Sequence, residues 1–301
     1  MLWKFLKKLF SRRKSDSAEI INISDEYELP QSSGLYMKVS FATDRGRLRE
    51  NNEDSFCIDG KYRHIYGRSE SDCYIELDGT AHVYGLFDGM GGEDYGETAS
   101  ALAAAHFDRA MPIFKQTAAD SLSDCMNEYA DTADSAICDM LISRDSDRGG
   151  CTFAAVCVKD GEIYPFWLGD SRIYFSSSDG LKQISEDQTL AAAKVKAGVY
   201  SAEVGENSPD SHKLTAFLGR GGMRTESLYA PLPVESGVKI LICSDGLSDM
   251  CSFEEIAAAL DSDTARADST DNTAQSLVNL ALENGGADNV TCIVLEFDEF
   301  K

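Results

Sequence analysis

The stretch CTFAAVCVKDGEIYPFWLGDSRIYF, residues 151–175, decides the architecture. It contains three apolar runs of strand length, 151–158, 162–168 and 172–175, and Asp160-Gly161 between the first two is a tight-hairpin signal. On its N-terminal side, residues 36–43 and 81–87 read as extended segments and 97–107 as an alanine-rich helix. A second helix is expected over 120–142, where Leu122, Met126, Tyr129, Ala133, Ile137 and Leu141 recur on one face. On the C-terminal side, 238–243 is continuously apolar and predicts a strand buried on both faces. A helix over 273–282 and a closing strand over 290–297 follow. Hairpins clustered beside paired helices predict mixed α/β layers of the α+β kind, not alternating βαβ units.

The chain has 301 residues, 43% hydrophobic and 26% charged, enough apolar material for a sizeable core. Its formal net charge of -23 repels polyanions and argues against nucleic-acid partners. The 9 cysteines are odd in number, scattered and without a C-x-x-C pair, which argues against a disulfide framework or zinc site and fits a reducing cytoplasm. None of the four histidines, His64, His82, His106 and His212, has metal-ligand spacing, so any metal is expected to be a hard cation bound by oxygen.

Residues 1–35 read as a separate N-terminal segment and polar linker, with one folded domain over 36–301. At helical periodicity Leu2, Phe5, Leu6, Leu9 and Phe10 fall opposite Lys4, Lys7, Lys8 and Arg12, and Arg13 and Lys14 extend the basic cluster. That pattern suits a peripheral membrane contact through residues 1–14; a disordered basic tail is the alternative.

The informative residues sit at strand ends. Arg49-Glu50-Asn51-Asn52-Glu53-Asp54 precedes the strand around Phe56, and Asp88-Gly89-Met90-Gly91-Gly92 follows the apolar run ending at Phe87. Ser244-Asp245-Gly246 follows the run ending at Cys243, and Asp288-Asn289 precedes the closing strand. A single Asp-Gly after a strand is a good turn. Several carboxylates at the ends of buried strands are costly unless a cation compensates them, and hard divalent cations take carboxylate and carbonyl oxygens. A glycine after the aspartate lets backbone approach such an ion closely.

These motifs resemble those of the metal-dependent protein phosphatases, the protein phosphatase 2C family, in its bacterial form. The segment Asp44-Arg45-Gly46-Arg47-Leu48-Arg49-Glu50-Asn51-Asn52-Glu53-Asp54 is similar to the family's opening motif. Asp88-Gly89-Met90-Gly91-Gly92, Gly150-Cys151-Thr152, Leu168-Gly169-Asp170-Ser171-Arg172, Leu214-Thr215-Ala216-Phe217-Leu218-Gly219, Ser244-Asp245-Gly246-Leu247-Ser248-Asp249 and Asp288-Asn289-Val290-Thr291 follow in the family's order. The resemblance covers about residues 36–299. It implies a four-layer α-β-β-α sandwich, two antiparallel sheets flanked by helices, with a two-metal manganese or magnesium site at one edge. On that resemblance Asp88 bridges the two metals, Asp245 and Asp288 complete one, and Glu53 and the Gly89 carbonyl serve the other. Asp54 orients water, Arg49 grips the phosphate, and Asp170 and Asp249 match positions of a third metal. The implied reaction is attack on phosphoserine or phosphothreonine by a metal-activated water, with phosphoproteins, a serine/threonine kinase among them, as partners.

The sequence also departs from the family. Met90 stands where some members have histidine as a general acid and cannot donate a proton. Gln188 in Glu186-Asp187-Gln188-Thr189 replaces a usual histidine, and 191–213 is the expected flap beside the site. Two other readings compete. Cys57 to Arg63 fits C-x-x-G-x-x-R and Cys138 to Arg144 fits C-x5-R, each a cysteine-phosphatase pattern, but Asp59 inside the first and a helical setting for the second oppose a phosphate cradle. A pseudophosphatase binding module is the other, and loss of metal aspartates would mark it; all of them are filled here.

Overall fold

The structure, a computed structural model, describes residues 34–64, 70–76, 81–90, 95–146, 148–228, 230–261 and 272–299. The basic segment 1–14 therefore lies outside the described residues. The strands, in chain order, are β1 (Leu35–Asp44), β2 (Ser55–Ile58), β3 (Lys61–His64), β4 (Glu70–Glu76), β5 (His82–Phe87), β6 (Gly89–Met90), β7 (Gly150–Cys151), β8 (Phe153–Lys159), β9 (Glu162–Leu168), β10 (Arg172–Ser177), β11 (Gly180–Gln183), β12 (Glu226–Ser227), β13 (Leu232–Pro233), β14 (Lys239–Cys243) and β15 (Val290–Glu299). The helices are α1 (Gly96–Gln116), α2 (Leu122–Ser143), α3 (Leu190–Lys196), α4 (Ala202–Glu206), α5 (Asp245–Ser248), α6 (Phe253–Asp261) and α7 (Thr273–Glu283).

One sheet has the order β11-β10-β14-β15-β1-β4 and the other β12-β9-β8-β5-β2-β3, with β13 also on β9. Their pairings are antiparallel. Strand alternation explains why both sheets are buried on both faces. In β14, Ile240 and Ile242 join Val39, Phe41, Tyr84 and Leu86 in the core between the sheets. Leu241 and Cys243 point the other way, onto Leu277, Val278 and Ala281 of α7. In β5, Val83 and Phe87 instead face Ala99, Ala103 and Phe107 of α1. The result is the expected four-layer α-β-β-α sandwich.

Two element boundaries differ from the expectation. The helix predicted over 97–107 continues to Gln116 through Pro112, which lies on an exposed face. There the missing N–H removes one hydrogen bond without disturbing the packed side. The run 151–158 is broken at Thr152 into β7 and β8. Thr152 leaves the ladder because both its backbone and its hydroxyl are used at the site.

The register brings the functional loops to one edge. Asp44 pairs with Val290, Cys243 with both Arg172 and Cys292, and Ser55 with Phe87. The segments leading to Glu53, Asp88, Asp170, Asp245 and Asp288 therefore leave the two sheets at the same end.

Candidate metal centre and active site

Asp88 sits between β5 and β6, held at its own backbone. Its N–H donates to Thr152 Oγ1 at 3.0 Å, and its carbonyl accepts the Thr152 N–H at 2.9 Å. The Thr152 hydroxyl shares a 2.6 Å hydrogen bond with Ser171 Oγ, next to Asp170. The Gly-Cys-Thr and Gly-Asp-Ser motifs thus brace one carboxylate loop against another.

Gly89 packs where no side chain fits. A Cβ there would lie 2.4 Å from the Gly96 carbonyl oxygen and 2.5 Å from that of Glu53. A Cβ on Gly246 would lie 1.9 Å from the Asn289 carbonyl oxygen. The glycine after Asp245 is thus required by the approach of the Asp288-Asn289 turn, a reason different from the one expected from the sequence.

Asn289 ties the opening motif to the last one. Its Oδ1 accepts the Glu53 N–H, and its Nδ2 donates to the carbonyls of Arg45 and Asn51, each at 2.8 Å. Asp54 is buried, and its Oδ2 accepts hydrogen bonds from Thr291 Oγ1 at 2.6 Å and Ser244 Oγ at 2.9 Å. Its Oδ1 has no partner among the described residues. Arg49 lies at the mouth, its side chain 49% exposed, and its Nη2 donates to Asp288 Oδ2 at 2.6 Å.

The electrostatics are those of crowded carboxylates. Burial pushes Asp88 well above the usual carboxylate range, and the charges of Asp245, Asp54, Asp170 and Asp288 push it further. Burial takes Asp245 up to about 6, with repulsion from Asp249 and Asp288. Burial takes Asp54 up to about 7 even though Thr291 and Ser244 lower it. Glu53 also rises to about 7, chiefly through burial. Burial and then Asp245 raise Asp170 well above the usual range. Such a cluster favours either protons or a cation, and an all-oxygen donor set with an orphaned carboxylate oxygen fits hard divalent ions. The residues present therefore fit the metals that the sequence implies.

The structure brings Arg49, Glu53, Asp54, Asp88, Gly89, Asp245 and Asp288 to one edge, with Asp170 and Asp249 beside Asp245. It also adds residues that the sequence reading missed. Glu97, in the first turn of α1, presses its charge on Glu53, and its Oε2 has no hydrogen-bond partner among the described residues. His212, from the loop after α4, places Nδ1 3.6 Å from Asp249 Oδ2. Neither stands in a motif, so only the folded chain could reveal them. Gln188 closes on Gly169 from both sides: its Oε1 accepts the Gly169 N–H at 2.8 Å, while its own backbone N–H donates to the Gly169 carbonyl at 3.0 Å. It clamps the turn that presents Asp170, where Gly169 has φ 112°.

The cysteine-phosphatase patterns fail on geometry. Cys57 is fully buried in β2 and its thiol is pushed well above its usual value by burial. Cys138 lies within α2, also raised by burial. Neither is the low-pKa thiolate that such chemistry needs.

A cleft of about 1900 Å³ runs from Arg49, Asp245 and Asp288 to the flap, which is built from α3 and α4. Among the described residues, no helix is long and apolar enough to cross a membrane.

Comparison with known proteins adds the following. A sequence profile described as protein phosphatase 2C matches residues 70–281. The chain is 30% identical over 270 residues to the serine/threonine protein phosphatase PstP of Mycobacterium tuberculosis, covering 88% of this chain and 46% of that one. The chain thus spans about half the length of that relative. It is 28% identical over 264 residues to the protein phosphatase PhpP of Streptococcus pneumoniae, covering 87% of this chain and 98% of that one. Among solved structures, the catalytic domain of PstP in complex with two manganese ions superposes with a TM-score of 0.66 at 26% identity, covering 88% of this chain and all of that one.

Proposed function

The chain belongs to the protein phosphatase 2C family, and on that premise we propose that it hydrolyses phosphoserine and phosphothreonine in proteins at a pair of divalent cations, manganese or magnesium. The observation that carries this reading is the convergence of Asp88, Asp245, Asp54 and Glu53, each with its proton affinity raised by burial, at one edge of the sandwich. The relative solved with two manganese ions supports the choice of metal.

In this proposal Asp88 would serve both cations, Asp245 and Asp288 would serve one, and Glu53 with the Gly89 carbonyl would serve the other. Bound cations supply Lewis-acid charge and make water nucleophilic at neutral pH. Asp54, fixed through Oδ2 by Thr291 and Ser244, would orient water with its remaining oxygen. Arg49 is anchored on Asp288 and half exposed at the mouth, so its guanidinium can take two phosphate oxygens in parallel hydrogen bonds. Met90 has no proton to give, so the proton for the leaving oxygen comes from water or from another group.

We assign catalysis to residues 36–301 and propose that residues 1–14 contact an anionic membrane surface from the cytoplasmic side. Phosphoproteins, including a serine/threonine kinase and its targets, are the substrates and partners proposed. The test is Asp88→Asn and Asp245→Asn in purified protein: turnover is expected to fall by orders of magnitude with the circular dichroism spectrum retained. Wild-type turnover by either variant at controlled metal would remove the assignment.

A further inference from the structure

Basic side chains are scarce in this chain, 28 Lys and Arg against 51 Asp and Glu. Around the cleft, Arg49, Arg172, Lys194 and Lys213 each sit on a carboxylate. Arg144, Arg148 and Arg220 do not. All three are exposed, and among the described residues none of them forms an ion pair or a side-chain hydrogen bond.

The fold gathers these three beside the Asp88 loop. Gly89 and Met90 of β6 pair with Cys151 and Gly150 of β7, and Arg148 lies two residues before Gly150. Cys151 in turn exchanges backbone hydrogen bonds of 3.0 and 2.9 Å with Leu218, and a Cβ on Gly219 would lie 3.2 Å from the Gly149 carbonyl oxygen. Arg148 and Arg220 therefore flank one backbone contact from two segments. Arg144 reaches the same side through Tyr95, its guanidinium 4.8 Å from the ring centroid. The residue after Tyr95, Gly96, packs on the Glu53 carboxylate, where a Cβ would lie 2.3 Å from Oε2.

The backbone under these arginines is fixed. Asp134, buried on α2, accepts the N–H groups of Gly219 at 2.7 Å and Gly221 at 3.1 Å through Oδ1, and that of Gly222 at 3.0 Å through Oδ2. Asn127 Oδ1 accepts the Thr225 N–H at 3.0 Å. Ser146 Oγ accepts the Arg148 N–H at 3.1 Å and donates to the Arg148 carbonyl at 3.0 Å. Charge-assisted bonds to a buried carboxylate hold the turn of Arg220 in one place. The Arg220 guanidinium lies 5.8 Å from the Phe217 ring centroid. A guanidinium propped on a ring keeps its N–H edge for an anion.

We propose that Arg144, Arg148 and Arg220 form a subsite for acidic side chains flanking the phosphorylated residue of the substrate. This rests on the phosphatase reading above and adds a substrate class to it. Carboxylates are the fitting occupant by charge complementarity: unpaired guanidiniums attract them, while a chain of net charge -23 repels them elsewhere.

The test uses the manganese-loaded full chain and two phosphothreonine peptides that differ only in their flanks, aspartate or alanine. For wild type the ratio of kcat/KM is expected to favour aspartate on the order of tenfold, the equivalent of about 1.4 kcal/mol from a few exposed charge pairs. The ratio should shrink as salt is raised. With Arg148→Ala and Arg220→Ala combined it should fall to roughly one. With Arg148→Glu and Arg220→Glu combined, a lysine-flanked peptide should become the better substrate. A wild-type ratio near one, or a ratio that both double variants leave unchanged, would overturn the subsite and leave the phosphatase reading standing. An unchanged ratio together with weaker binding to phosphatidylglycerol vesicles would give these arginines to a membrane surface and overturn the subsite equally. No turnover of either peptide by wild type would remove the phosphatase reading and the subsite with it.

Discussion

Asn289 Oδ1 accepts the backbone N–H of Glu53 at 2.8 Å across 236 positions of sequence, and the same side chain holds the carbonyls of Arg45 and Asn51. One buried amide thus joins the opening loop of the site to the last. Asn289→Ala removes these hydrogen bonds, and the expected loss is about 0.5–1.5 kcal/mol for each, since their backbone partners are only partly buried. Urea unfolding of the metal-free protein measures it. Weakened manganese affinity should accompany the loss, because Glu53 is released at its backbone. Unchanged stability and affinity would show that the loop is held otherwise.

The carboxylate cluster makes stability depend on pH when metal is removed. Asp54 and Glu53 rise to about 7 and Asp245 to about 6 in the folded chain, against about 4 for such groups when unfolded. An acid whose folded pKa is raised binds its proton more tightly in the native state. Its contribution is therefore fully present below about pH 4 and is lost as pH rises through 6 to 7. These groups should make the chelator-treated protein lose thermal stability across that window, and saturating manganese should reduce the slope. Melting temperatures from pH 4 to 8, with and without metal, decide it. A metal-free Asp54→Asn variant with the same slope as wild type would contradict the assignment of part of that slope to the buried Asp54 carboxyl.

Much of this arrangement was legible in the sequence because it rests on strand ends. The continuous apolar run before Asp245 required a doubly buried strand, and the helical spacing of Leu122 to Leu141 required a packed face; both are observed. The aspartates could be picked out because charge at the end of a buried strand needs compensation. Other features depend on distance in space and not on pattern. The roles of Asn289 and Thr152 follow from register between remote strands. His212 lies in a loop whose path is set by the Asp210 hydrogen bonds, and no periodicity encodes that path. From the sequence, Gly246 has a reason in the approach of backbone to an ion, whereas its requirement comes from the Asn289 carbonyl oxygen.

The N-terminal segment yields a prediction from sequence alone. Removing residues 1–14 takes away Lys4, Lys7, Lys8, Arg12, Arg13 and Lys14 with their apolar neighbours. Cosedimentation with phosphatidylglycerol vesicles is expected to fall strongly, and wild-type binding is expected to weaken as salt is raised. Turnover of a soluble phosphopeptide should stay within twofold of wild type. Equal vesicle binding by the full and shortened chains would remove the membrane proposal.

The central claim is metal-dependent hydrolysis of a phosphorylated side chain, and its most direct measurement is phosphate release from a phosphothreonine peptide by the purified full chain. Manganese, magnesium and chelator are compared, before and after alkylation of the thiols. The account predicts turnover with manganese, none with chelator, and no loss on alkylation, since no thiol takes part in the reaction. Turnover that persists in chelator, or that disappears when a cysteine is blocked in a folded protein, would contradict it.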